Sequence, residues 1–179
     1  MTKADRAKNT IILQIDNYAA AKDGALCHLY PGEKQITPYI KTGENGNGRT
    51  MVPVRFLAET MGATVLWDDA TLTATITIGD DVLQMTIGSV VYTVNGETKT
   101  MDVPPETLYY NGESGYGRTM VPISFAAQAL GKAVYWDNAD RLVIITEQDL
   151  PWQDGRGAEA ELKEDVLLVI SPLLRDLIQ

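Results

Sequence analysis

RTMVPVRF at Arg49–Phe56 returns sixty-nine positions later as RTMVPISF at Arg118–Phe125. An octapeptide nearly identical at two places in one chain must fill the same structural role twice, and that narrows the folds open to it. The likeness runs on without a gap: from Arg49 to Ile78 and from Arg118 to Glu147, fourteen of thirty positions are identical. Upstream it is looser, with IDNYAAAKDG (Ile15 to Gly24) against IGSVVYTVNG (Ile87 to Gly96). The sequence therefore reads as two copies of one unit, about Ile11 to Asp81 and Val82 to Asp149. No Pro/Gly linker separates them, so close packing or one shared sheet is expected.

Local signals repeat with the unit. Pro53 and Pro122 suit the first turn of a helix, and Gly62 and Gly131 suit the position just past its end. Between them Phe56, Leu57, Thr60 and Met61 fall on one helical face, and Phe125, Ala126, Ala129 and Leu130 do so in the second copy. Helices this short need a sheet to hold them. After each glycine two short strands flank a polar turn, DDAT in one copy and DNAD in the other. In LTATITI, Leu72, Ala74, Ile76 and Ile78 should point one way. Ahead of the second octapeptide, VLQMTI, VVYTV and ETKTM read as three strands, the last two joined by a hairpin at Asn95-Gly96. The expected fold class is α+β: tandem β-β-β-α-β-β units, mostly antiparallel sheet with one short helix per unit.

The copies differ where Thr73 and Thr75 become Leu142 and Ile144. That apolar face should be covered, by the C-terminal tail or by a partner chain in a homo-oligomer. The tail, Pro151 to Gln179, stands outside the repeat. Its segment AEAELKEDVLLVI predicts a helix with Leu162, Val166, Val169 and Ile170 near one side, ended or kinked at Pro172.

Composition limits the chemistry. Fifteen basic against twenty-four acidic residues give a net charge of -9, with no basic stripe, which disfavours nucleic-acid binding. A single cysteine, Cys27, forbids an intrachain disulfide, and its apolar setting suggests an inert thiol. His28 is the only histidine, so no zinc or copper ligand set can form, and the acidic turns match no calcium loop. No serine sits in a nucleophile elbow, and the ENGNG and ESGYG loops match no phosphate-binding pattern. No catalytic residue, cofactor or metal is expected. No stretch is long and apolar enough to span a bilayer.

Repetition at a fixed structural position gives Arg49, Pro53, Phe56, Gly62 and Trp67, with Arg118, Pro122, Phe125, Gly131 and Trp136, roles in the scaffold. Arg49 and Arg118 are expected to hydrogen-bond the backbone of neighbouring loops, and Arg55 is spaced to pair with Glu59. The candidate ligand contacts are the less regular aromatics Tyr109, Tyr110, Tyr116 and Trp152, which could stack on sugar rings.

The run NGRTMVPVRFLAETMGATVLWDDATLTATITI, Asn47 to Ile78, resembles the copper amine oxidase N-terminal-like, or stalk, domain. The matching positions are Asn47, Gly48, Arg49, Thr50, Val52, Pro53, Arg55, Phe56, Gly62, Trp67 and Asp68. The second copy matches at Gly117, Arg118, Thr119, Val121, Pro122, Phe125, Gly131, Trp136 and Asp137, and also in MDVPP, Met101 to Pro105. It departs at Tyr116 and Ser124, where Asn and Arg are usual. The resemblance implies a non-catalytic module, exported or cell-surface, of a Gram-positive bacterium, with its signal peptide outside these residues. Asn17-Tyr18 lacks the rest of a quinone-forming motif. The function expected is a structural or interaction module of the cell envelope. The alternatives are a carbohydrate or peptidoglycan binder using exposed aromatics, and a small enzyme. Partners would be wall glycan or other envelope proteins.

Overall fold

The computed structural model describes residues 10–23, 25–30, 33–109, 117–138 and 140–147. Fourteen strands and two helices alternate in two parallel series among these residues. The first series is β1 (Ile11–Gln14), β2 (Ala19–Lys22), β3 (Ala25–His28), β4 (Tyr39–Thr42), β5 (Gly48–Pro53), helix α1 (Val54–Thr60), β6 (Thr64–Asp68) and β7 (Thr73–Ile78). The second is β8 (Asp81–Thr86), β9 (Val91–Val94), β10 (Glu97–Thr100), β11 (Glu106–Tyr109), β12 (Gly117–Pro122), helix α2 (Ile123–Ala129), β13 (Lys132–Asp137) and β14 (Leu142–Glu147). The architecture is mostly antiparallel sheet with two short helices, in the α+β class.

Five strands precede each helix where the sequence predicts three: β4 or β11 is one addition, and the octapeptide itself supplies the other. Gly48–Pro53 and Gly117–Pro122 are strands of their own, and they pair with each other: Met120 opposite Pro53, Val121 opposite Val52, Pro122 opposite Met51. With β4 and β11 outside them they make a four-stranded central sheet, ordered β11-β12-β5-β4. Antiparallel pairing of two like segments places a local twofold between Val52 and Val121. Val52 and Val121 face the main core, while Met51 and Met120 face a small cluster with Val103, Tyr39 and Leu108.

The outer sheets draw on both series. One runs β10-β9-β8-β7-β6, the other β13-β14-β1-β2-β3. Strand β1 pairs with β14, opposing Ile12 to Ile144 and Leu13 to Val143, so the first described strand completes a sheet begun by the last two. The helices also cross over: α1 packs on β12 as well as β5, and α2 on β5 as well as β12. One continuous core results, containing Leu57 and Ala126 from the helices, Leu13 and Ile145 from one outer sheet, and Ile76 and Leu83 from the other.

The helix limits follow from three residues in each copy. Pro53 and Pro122 close the preceding strand as N-caps, one residue earlier than predicted, because their extended ψ still belongs to the sheet. Gly62 and Gly131 follow the C-caps at φ +75° and +78°, where a Cβ would be strained. The buried faces are broader than predicted and include Val54 and Ala58 in α1, and Ile123 and Ala127 in α2. Asn95 and Gly96 both have positive φ, the geometry of a two-residue hairpin turn. Leu72 departs from its predicted place on the buried face: at φ +55° it belongs to the turn before β7 and is exposed. The tail from Pro151 to Gln179 lies outside the described residues. Among those described, no helix is long and apolar enough to cross a membrane.

Candidate interaction groove and the two arginines

The repeated arginines leave their own copy. Arg49, on β5, donates from Nε to Asp102 Oδ1 at 2.9 Å and from Nη2 to Oδ2 at 2.8 Å. Its partner is thus a carboxylate, not the loop backbone that the sequence reading favours. Asn45 Nδ2 donates to the same carboxylate at 3.0 Å. The Arg49 hydrogen bonds hold the Asp102 carboxyl down at about 2, and the Arg49 guanidinium is raised in turn. The guanidinium carbon also lies 5.0 Å from the ring centre of Phe125, in the other octapeptide.

Arg118 repeats the plan with different chemistry. Its guanidinium carbon lies 4.1 Å from the Tyr30 ring centre, and Nη1 donates to the Gly117 carbonyl at 3.1 Å. Tyr30 stands two residues beyond β3, as Asp102 stands two beyond β10. An ion pair to Asp102 meets one arginine and the Tyr30 ring lies under the other, at equivalent places.

A second cross-copy contact lies above Met51 and Met120. Tyr39 is opposite Met51, Glu106 is opposite Met120, and the Tyr39 hydroxyl donates to Glu106 Oε1 at 2.6 Å. Burial first, then this bond, push the phenol above its usual range. Lys41 Nζ reaches Glu106 Oε2 at 3.3 Å.

An open groove of about 500 Å³ lies between the free edges of β6 and β11, floored by Pro53 and Val54 at the start of α1. Trp67 of β6 and Tyr109 of β11 both line it, 39% and 60% exposed, together with Tyr30 and Arg118. Two local features aim the aromatics. Tyr109 is opposite Gly117, where a Cβ would meet Thr107 Cγ2 at 2.5 Å and Tyr109 Cε1 at 3.2 Å, so the missing side chain makes room for both. Trp67 Nε1 donates to Asp69 Oδ1 at 3.1 Å, which ties the indole to the turn after β6. Arg55 projects into the groove from the first turn of α1. The Arg55–Glu59 pair expected from spacing does not form: both side chains are exposed, and an exposed helical pair is too weak to hold them together.

The predicted positions thus separate. Pro53, Arg118, Trp67 and Tyr109 meet at the groove; Phe56 is buried in the core, Phe125 and Trp136 pack against it half-buried, and Pro122 is buried at the end of β12. Trp67 and Trp136 share a sequence position but not an environment. Tyr110, Tyr116 and Trp152 lie outside the described residues. Tyr30 and Asp102 are additions that sequence reasoning did not single out, and Arg55, expected to pair with Glu59, lines the groove instead. The signal for Tyr30 and Asp102 was their common offset from β3 and β10.

The acids show structural uses. Asp68 is lowered by the Thr71 side chain and the Ala70 N–H in the turn, and the Asp140 N–H donates to Asp137 in the matching turn. Among the described residues, no group of three or more His, Cys, Asp or Glu side chains converges on a metal-sized site. Cys27 is half-buried on β3, and burial pushes its thiol up.

A family model described as the copper amine oxidase N-terminal domain matches residues 31–145. The chain belongs to that family. The match runs from just past β3 to Ile145 of β14, so it takes in both octapeptides, both helices and every groove residue named here but Tyr30. The N-terminal domain of this family is the non-catalytic one. No curated protein matches the chain.

Proposed function

We propose that this chain is a non-catalytic interaction module of an exported cell-envelope protein, and that it binds carboxylate-bearing wall glycan in the groove between β6 and β11. The convergence of Trp67, Tyr109 and Arg55 on one open groove carries the reading. Sugar rings present C–H faces that stack on aromatic side chains, and a guanidinium recognises a carboxylate with paired donors. Membership in a family built on a non-catalytic domain supports the absence of turnover. The repeat itself supports descent from a duplicated unit of about seventy residues, with Arg49 and Arg118 as staples between the copies.

Co-sedimentation with purified peptidoglycan sacculi tests this. The intact chain should be retained, and Trp67→Ala combined with Tyr109→Ala should abolish retention. Both side chains are exposed, so the melting temperature should move by only about 2 °C. An intact chain that ignores sacculi and soluble muropeptides alike removes the glycan and leaves a scaffold.

A further inference from the structure

We propose that residues 148–179 fold back over the outer face of the β13-β14-β1-β2-β3 sheet and form its second layer. The inference is independent of the groove and its ligand.

The two outer sheets correspond strand for strand, so their outward positions can be compared one by one. On one sheet Thr75, Gln84 and Thr93 lie opposite each other on β7, β8 and β9. Gln84 Nε2 donates to Thr75 Oγ1 at 3.2 Å, and Thr93 Oγ1 donates to Gln84 Oε1 at 3.3 Å. Beside them the Thr73 and Thr86 hydroxyls bond at 2.7 Å. This face is built for water.

The same register positions on β14, β1 and β2 hold Ile144, Ile12 and Ala21, with Leu142 in the place of Thr73. Leu142 and Ile144 are 1% and 2% exposed, and Ile12 and Ala21 are fully buried. None of them belongs to the main core, which takes their neighbours Val143, Ile145, Leu13 and Ala20 from the opposite face. A sheet face this apolar calls for a second layer against it.

Residues 148–179 are the segment placed to supply that layer. They follow directly on Glu147, the last residue of β14. Their Leu162, Val166, Val169 and Ile170 recur at helical spacing as one apolar stripe, and Ala19 and Ala21 beneath leave a shallow surface for it.

Three chains compared by light scattering and by binding of an apolar-surface dye test the proposal. The full chain should be monomeric and dye-dark. A chain ending at Glu147 should dimerise or aggregate and bind dye. The same truncation carrying Ile12→Gln, Ala21→Thr and Ile144→Thr, which installs the polar network of the sister sheet, should return to a dye-dark monomer. Full-length Val166→Asp with Ile170→Asp should raise dye binding and speed amide exchange at Ile12 and Ile144, and it decides the matter if the truncations do not fold. A truncated chain that stays monomeric and dye-dark overturns the proposal. So does a full-length aspartate variant with unchanged exchange, or a full chain whose face is protected only as a dimer.

Discussion

Val52 and Val121 oppose each other across the β5–β12 pair, so the two copies of the octapeptide meet at their midpoints in the core. Recurrence here marks a seam. Each copy supplies half of one central sheet, and its helix and arginine reach across to the other half.

Truncating either valine at this seam should be costly, and the two costs should not add. Val52→Ala and Val121→Ala should each destabilise by about 2 kcal/mol, from lost apolar burial and a residual void. Directly opposed side chains should couple by about 0.5–1 kcal/mol in a double-mutant cycle. Urea unfolding of the two single variants and the double reads this. Strict additivity would mean that the side chains do not meet.

Asp102 should give the fold an acid-sensitive element. Its carboxyl sits at about 2 in the folded chain, against 3.8 ordinarily. As pH falls, the unfolded chain takes up this proton first. The stabilisation is therefore complete above about pH 5, declines between about pH 4 and 2, and is gone below both values. At pH 7 Asp102→Asn should cost about 1–2 kcal/mol, the lower part of the range for a charged hydrogen bond because both groups are partly exposed. The gap between variant and native chain should close toward pH 2 in urea unfolding repeated across pH. A gap independent of pH would remove the ion pair from the account.

Tyr39 should resist ionisation. Burial and the hydrogen bond to Glu106 both disfavour its phenolate, so its ring carbon shift in NMR should hold steady through the ordinary phenol range. Tyr39→Phe should cost about 1 kcal/mol, since Lys41 still serves the Glu106 carboxylate. Titration of Tyr39 near 10 would show that the contact is absent in solution.

Local punctuation was legible in the sequence. Proline and glycine bracket both helices, and Asn95-Gly96 marks the hairpin, because each answers to backbone geometry at its own position. The central sheet was not legible. In Gly48–Pro53 the adjacent Met51 and Val52 are both buried, on opposite faces, so no alternation announces a strand. The pairing of β1 with β14 joins residues far apart in sequence, and no local preference encodes that choice. At the groove, Trp67 carried a signal but its exposure did not. The same letter at position 136 packs against the core, so the difference comes from neighbours, not from the residue. Tyr30 was hidden because the copies diverge most before the octapeptide.

The interleaving of the copies is tested most directly by removing β1–β3. Melting and amide exchange should be compared between the full chain and one beginning at Leu29. Strand β14 would lose its partner β1, and the core would lose Ile11, Leu13 and Ala20. The melting temperature should fall by about 10 °C or more, and Val143 and Ile145 should lose their slow exchange. An unchanged melting temperature, with Val143 and Ile145 still protected, would contradict a fold whose first strand completes its last sheet.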